Sequence, residues 1–284
     1  MDPPCFLCIS GSCLRFRSSS SGVITSTAND SVKYVRSLYR RRVRYGERAF
    51  VAEGLRTVEE ALKTGLRPTF IFHTSAVLAS ARAVAIVSQS GQRGAHVSIV
   101  SEPVMAAMAD TVTPSGILAV LPMPAAGVPP RSQWVLILDR VRDPGNLGTI
   151  LRAALAAGVD LAVTTAGTVD VYSPKVVRSA MGAHFSLNLW VDQDWTAVGN
   201  ALSGLQVLIA CPERGAPYWE IDWRRPTALV IGGEAEGVAA EAEQLASGFV
   251  TIPMRSGVES LNAAMAASVL LFEAARQRFR ASLA

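Results

Sequence analysis

Six short apolar runs, "WVLILD", "LAVTT", "SLNLWV", "QVLIAC", "ALVIGG" and "FVTIP", recur between Trp134 and Pro253 with helix-like stretches between them. A strand with one wet face alternates apolar and polar residues, whereas a strand covered on both faces is apolar throughout. Several of these runs are of the second kind, so the series predicts an α/β fold whose mostly parallel sheet carries helices on both sides. Ligands of open parallel sheets bind outside the carboxyl ends of the strands, in the loops that follow them. Those loops are where functional residues are to be sought.

Upstream, four prolines in "LPMPAAGVPPRSQ" interrupt the pattern as linkers do. They separate a domain at residues 133–284 from a smaller α/β domain at 23–122, with 123–132 as the linker. In the smaller domain, Asn29 or Asp30 can cap a helix reaching about Arg42, with Val32, Val35, Leu38 and Tyr39 on one face and Lys33, Arg36 and Arg40 on another. The strand-like "AFVAEG", a helix from Thr57 to Lys63 closed by Gly65, "TFIFHT" and "GILAVL" follow. Residues 1–22 are rich in Ser and Arg but lack the amphipathic period of a targeting peptide, which predicts a disordered extension.

Composition excludes several classes. Half the residues are hydrophobic, so a sizeable core is available, but no apolar run reaches the ~20 residues of a membrane span. Cys5, Cys8, Cys13 and Cys211 form neither a disulfide framework nor a four-ligand zinc pattern, and His73, His96 and His184 are isolated, so no metal site and a reducing, cytoplasmic setting are expected. Charge is uneven: residues 1–130 hold 14 basic and 8 acidic groups, residues 131–284 hold 13 and 15. Within residues 31–50, seven basic residues, Lys33, Arg36, Arg40 and Arg41 among them, interleave with Tyr34, Tyr39, Tyr45 and Phe50. Guanidinium forks bind phosphate and aromatic faces stack on bases, so this mixture suits single-stranded RNA; a solvated helix face is the alternative.

Three loops stand out. In "LDRVRDPGNLGTILRAALAAG" a strand closes at Asp139 and a helix runs to Gly158; Arg152 lies one turn beyond Gly148, which would clear space beneath a guanidinium hanging over Asn146. In "LVIGGEAEG" a buried strand runs into two glycines and Glu234, and glycines at a strand end permit close approach of a ligand to the backbone. In "IPMRSGVESLN" Ser256, Gly257, Glu259, Ser260 and Asn262 crowd a loop that needs one turn residue and one cap; the helix after it has an apolar stripe of Leu261, Met265, Val269 and Phe272. The Gly-x-Gly-x-x-Gly of dinucleotide folds, the Gly-Lys-Ser/Thr of P-loops and the Gly-x-Ser-x-Gly of hydrolases do not occur.

"DPGNLGTILRAA", "IGGEAEGV" and "IPMRSGVESLNAAMAAS", in that order, resemble the three motifs of the SpoU (TrmH) branch of the SPOUT RNA methyltransferases over residues 134–276. The stretch from "ITSTANDSVKYVRSL" to "FVAEGLRTVEEAL" is similar to the L30e-like substrate-binding domain often joined to that branch. The resemblance implies a SPOUT-type sheet with a carboxyl-terminal trefoil knot, a homodimer, and methyl transfer from S-adenosylmethionine to an RNA ribose 2′-hydroxyl. It implies that Gly232, Ile252 and Leu261 present backbone groups to the cofactor with Met254 nearby, and that Arg152 meets the ribose hydroxyl with Asn146, Glu234, Ser260 and Asn262 orienting the reactants. The second motif departs from the family at Ala235, where relatives commonly have glycine. The extra amino-terminal domain favours 23S-type ribosomal RNA as substrate; transfer RNA, and a non-catalytic RNA-binding or ribosome-assembly role, are the alternatives.

Overall fold

A computed structural model describes residues 6–9, 12–15, 22–125, 127–129, 132–234, 236–255 and 260–282, with residues 6–15 and 280–282 as backbone only. The chain divides into two compact units, Met1–Pro124 with Tyr172–Pro174, and Ala125–Val171 with Lys175–Ala284.

In the first unit, β1 (Phe6–Ile9) and β2 (Ser12–Arg15) pair antiparallel within the stretch expected to be a disordered extension; the rest of that stretch, up to residue 21, lies outside the described residues. There follow α1 (Asp30–Ser37), α2 (Arg41–Glu47), β3 (Ala49–Glu53), α3 (Leu55–Lys63), β4 (Phe70–His73), α4 (Ala81–Gln92), β5 (His96–Ile99), α5 (Glu102–Met108) and β6 (Ile117–Pro122). The sheet order is β3-β6-β4-β5, antiparallel except for β4 with β5. Val32, Val35 and Leu38 pack with Val51, Phe72, Met105 and Val120 in its core.

The helix expected to run from Asn29 or Asp30 to about Arg42 is two helices. Asn29 caps α1, accepting from the Ser31 backbone N–H, but Arg40 is extended. The break is stabilised from outside the helix. The buried Arg44 guanidinium donates to the Leu38 carbonyl at 2.6 Å, and the Tyr39 hydroxyl donates to the Met108 carbonyl. Arg44, one of the seven basic residues of the region, is thus a structural group satisfying a helix-end carbonyl.

The second unit comprises β7 (Trp134–Asp139), α6 (Pro144–Ala156), β8 (Leu161–Thr165), α7 (Pro174–Ala180), β9 (Asn188–Gln193), α8 (Trp195–Ala201), β10 (Gln206–Ala210), β11 (Ala216–Pro217), β12 (Thr227–Gly232), α9 (Ala240–Leu245), β13 (Gly248–Thr251) and α10 (Ala263–Ser282). The sheet order is β11-β13-β10-β12-β7-β8-β9, and every pairing is parallel. Val135, Ile137, Val163, Ile209 and Val230 pack with Val198 of α8 and Ala242 of α9. The alternate residues Leu136 and Leu138 point to the opposite face and are equally buried, which is why the run is apolar throughout. Truncating Leu136, Leu138, Ile137 or Ile209 to alanine would cost about 2–5 kcal/mol.

The face of α10 differs from expectation. It packs on α6 and β12 through a stripe of mostly small residues, Ala264, Ala267, Leu270, Leu271, Ala274 and Ala275. Three members of the stripe read from the sequence point outward, Met265 at 60 % and Phe272 at 52 % exposure with Val269 beside them, while Leu261 precedes the helix and is half-buried. Both stripes satisfy helical spacing, and the smaller one wins the interior because it lets α10 come close to α6.

Candidate active site

The site is built at the carboxyl ends of the central strands. β7 ends at Asp139, a buried carboxylate that accepts from Thr165 Oγ1 at 2.5 Å and from the Ala239 backbone N–H at 2.6 Å. One side chain thus ties the ends of β7 and β8 to the segment after β12. The chain turns at Arg140 with φ +57°, and Asp143 caps α6 by accepting from the Asn146 N–H at 2.7 Å, with Pro144 in the first turn.

That cap orients Asn146, and two distant residues complete the arrangement. Asn262 caps α10, its Oδ1 accepting from Ala264 N at 2.9 Å and Met265 N at 3.3 Å. With its oxygen committed, its amide nitrogen faces the other way and donates to Asn146 Oδ1 at 3.0 Å, with Glu234 Oε1 at 3.4 Å. Asn146 in turn donates through Nδ2 to Glu234 Oε1. Each amide has one donor side and one acceptor side, so the helix cap settles the orientation of the whole cluster. Three of the five expected catalytic residues, one from each motif, therefore meet.

Arg152 is exposed on α6 and has no hydrogen-bond or ion-pair partner among the described residues. Gly148 does not clear space beneath it, as the sequence suggested. A β-carbon there would lie 1.9 Å from Ser179 Oγ and 2.8 Å from the Val176 carbonyl, so this glycine serves the close approach of α7. The glycines at the end of β12 act similarly. A β-carbon on Gly233 would sit 2.3 Å from the Arg140 carbonyl oxygen, and one on Gly232 2.7 Å from the Gly237 carbonyl carbon; Gly233 lets the turn after β7 approach, and Gly232 lets the loop after β12 fold back on itself. Ala235, and the Ser256, Gly257 and Glu259 of the crowded polar loop, lie outside the described residues.

A cavity of about 560 Å³ opens where β10, β12 and β13 end. Gly232, Ile252, Met254 and Leu261, the four expected cofactor residues, line it together with Glu234 and Ser260. Sequence reasoning missed Cys211, Arg214 and Phe249 on the same wall. Arg214 stacks on the Phe249 ring at 3.8 Å and pairs with Glu243 at 2.6 Å. The rule that places ligands after parallel strands pointed to the segment following β10, but no motif in it was recognisable. A second cavity of about 100 Å³ is lined by Arg140, Val141, Arg142, Asp143, Asn146, Glu234 and Glu236. The two cavities share Glu234 and Glu236.

In the same unit His184 is buried, its Nε2 lying 2.7 Å from the Val171 carbonyl. Burial pushes its pKa down to about 4, against a smaller opposing pull from that hydrogen bond. In the first unit Lys33 and Arg36 are exposed on α1, and Arg40 and Arg41 are exposed at the start of α2; Lys33 lies 3.4 Å from Asp30. Among the described residues no group of three or more His, Cys, Asp or Glu could hold a metal ion.

Residues 133–272 match the model of the SpoU rRNA Methylase family, and residues 29–119 match that of the MRM3-like substrate binding domain. An uncharacterized tRNA/rRNA methyltransferase of Synechocystis is 37 % identical, covering 91 % of this chain and 95 % of its own. The 23S rRNA (guanosine(2553)-2′-O)-methyltransferase RlmP of Bacillus subtilis is 33 % identical over 88 % of this chain and 97 % of its own. Among solved structures, an AdoMet-bound rRNA methyltransferase from Sinorhizobium meliloti superposes with a TM-score of 0.79 at 30 % identity, over 90 % of this chain and 97 % of the other.

Proposed function

Because the chain belongs to the SpoU rRNA methylase family, we propose that it transfers a methyl group from S-adenosylmethionine to a ribose 2′-hydroxyl of 23S-type ribosomal RNA. The observation that carries this reading is the cluster of Asn146, Glu234 and Asn262 beside a cavity at the strand ends.

The cavity suits the cofactor. Its volume falls within the ~300–1,000 Å³ usual for small-molecule sites, and its lining combines a bare glycine backbone, apolar Ile209, Ile231 and Leu270, and charged Glu213, Arg214 and Glu243. An adenosine and a zwitterionic amino-acid tail need such a mixture. Backbone groups of Gly232, Ile252 and Leu261 would hold the adenosine, with Met254 beside it. S-adenosylmethionine, when bound, supplies a methyl group already activated by its positive sulfur.

The chain's own task is to position the hydroxyl and stabilise charge on its oxygen. A guanidinium offers five N–H donors and no acceptor, so Arg152 is suited to holding a phosphate and stabilising the developing alkoxide rather than removing the proton. Glu234 anchors the amides of Asn146 and Asn262, and Ser260 borders the cofactor cavity from the same polar loop. The non-catalytic alternative is disfavoured because Asn146, Arg152 and Asn262 are all present.

Residues 23–122 form the RNA-binding domain in this reading, gripping phosphates through Lys33, Arg36, Arg40 and Arg41, and residues 133–284 form the methyltransferase domain with its trefoil knot. A second copy of the chain covers the outer stripe of α10, where Met265, Val269 and Phe272 are exposed. Among the described residues no helix is long and apolar enough to cross a membrane, and we place the protein in the cytoplasm with ribosomal RNA. The test is transfer of tritiated methyl to separated ribosomal and transfer RNA, followed by mapping of the modified ribose. Label on a 23S-type 2′-oxygen supports the proposal; label on transfer RNA alone, or none, defeats it.

A further inference from the structure

We propose that Arg140 and Arg142 form an anion seat beside the catalytic cluster, occupied in the free protein by the Glu236 carboxylate and taken over by an RNA phosphate when substrate docks. The inference rests on the functional reading above and adds to it a second phosphate contact, separate from Arg152. Glu236 divides its two oxygens between the guanidinium groups, Oε1 lying 2.6 Å from Arg142 and Oε2 3.4 Å from Arg140. All three residues line the smaller cavity, whose other walls include Asn146 and Glu234. At about 100 Å³ it has room for a phosphate group but not for a base with its sugar.

Arg140 is placed for such a role by packing. Its stem runs against Gly167, where an added β-carbon would come within 3.3 Å of Arg140 Cγ. Its buried Nε has no hydrogen-bond partner among the described residues. Asp139 Oδ2 lies 3.7 Å from that Nε, and its carboxylate already accepts from Thr165 and Ala239. The guanidinium is therefore incompletely satisfied, and a partly buried cation in that condition favours a further anion.

Three carboxylates face the same cavity. Asp143 is committed to the α6 cap and Glu234 to the two asparagine amides, whereas Glu236 pairs only with the arginines among the described residues. Both Glu236 and Arg142 are largely exposed, and exposed ion pairs are held weakly. A phosphate, which a guanidinium fork fits well, can displace the carboxylate.

The experiment uses the full chain, an unmodified 23S-type transcript and S-adenosylhomocysteine. Arg142→Ala should weaken RNA binding about tenfold at low salt, reduce the dependence of log affinity on log salt by about one unit, and leave S-adenosylhomocysteine affinity within about twofold. Glu236→Gln should tighten RNA binding by freeing the seat. Wild-type RNA affinity in Arg142→Ala, loss of its S-adenosylhomocysteine binding, or weaker RNA binding by Glu236→Gln would each overturn the seat. Wild-type protein in the same series separates the two levels. Methyl transfer by wild type with a flat Arg142→Ala response refutes the seat alone, and wild type that neither binds nor methylates RNA refutes the functional reading with it.

Discussion

The Asn262 side-chain amide donates to the Asn146 side-chain oxygen at 3.0 Å, joining residues 116 positions apart in the chain. Because the Asn262 oxygen simultaneously caps α10, one side chain sets both a helix start and the orientation of the polar cluster. On the proposed function, fold stability and catalysis are therefore separable at this position.

Asn262→Asp keeps an oxygen for the Ala264 N–H but replaces the donor facing Asn146 and Glu234 with a second acceptor. The melting temperature should stay near wild type while methyl transfer falls by about two orders of magnitude. Asn262→Ala should lose the cap as well, at about 1 kcal/mol. Thermal unfolding beside a turnover assay measures both; full turnover by Asn262→Asp would detach this donor from the chemistry.

Arg152 is exposed on α6 and has no partner among the described residues, so its replacement should not disturb the fold. Arg152→Ala is expected to bind S-adenosylmethionine as wild type does and to lose methyl transfer by about 100-fold or more. Arg152→Lys should recover little, because an ammonium does not reproduce a bidentate fork. Unchanged turnover in either variant would remove Arg152 from the mechanism.

The outer face of α10 places Phe272 at 52 % exposure in line with Met265. A buried carboxylate in an apolar interface is costly, so Phe272→Asp should convert a dimer to a monomer with an unchanged circular dichroism spectrum. Sedimentation equilibrium decides the matter. A wild-type monomer, or a variant that remains dimeric, would show that this face is not the interface.

His184 carries the clearest pH signature. Its folded pKa of about 4 lies below the ordinary value of 6.5 because burial disfavours the charged ring. The unfolded chain therefore binds a proton that the folded chain refuses. The stabilising contribution is fully present above pH 6.5 and is lost as pH falls toward 4, amounting to about 3 kcal/mol over that interval. His184→Gln should flatten that part of the stability profile in denaturant titrations; an identical acid limb in the variant would contradict the assignment.

The strand pattern was legible because burial on both faces leaves an uninterrupted apolar run, as Val135 to Leu138 illustrates. Asn146, Glu234 and Asn262 were legible as members of motifs, but not as one hydrogen-bonded cluster, since pairing across 116 residues leaves no local trace. Where local rules failed, a tertiary contact prevailed. Tyr39 breaks the first helix by serving the distant Met108 carbonyl, and Arg44 by satisfying the Leu38 carbonyl left at its end. Gly148 answers to α7. On α10, alanines won the interior over Met265 and Phe272 because close helix packing depends on small side chains. Spacing alone does not distinguish two apolar stripes on one helix.

Titration calorimetry of the folded, full-length chain with S-adenosylmethionine and S-adenosylhomocysteine addresses the cavity directly. Saturable binding at one site per chain, lost when Gly232→Val displaces the loop that forms the cavity wall and kept in Arg152→Ala, is the expected outcome. Heat no greater than dilution for both ligands, from protein shown to be folded, would mean that this cavity is not a methyl-donor site.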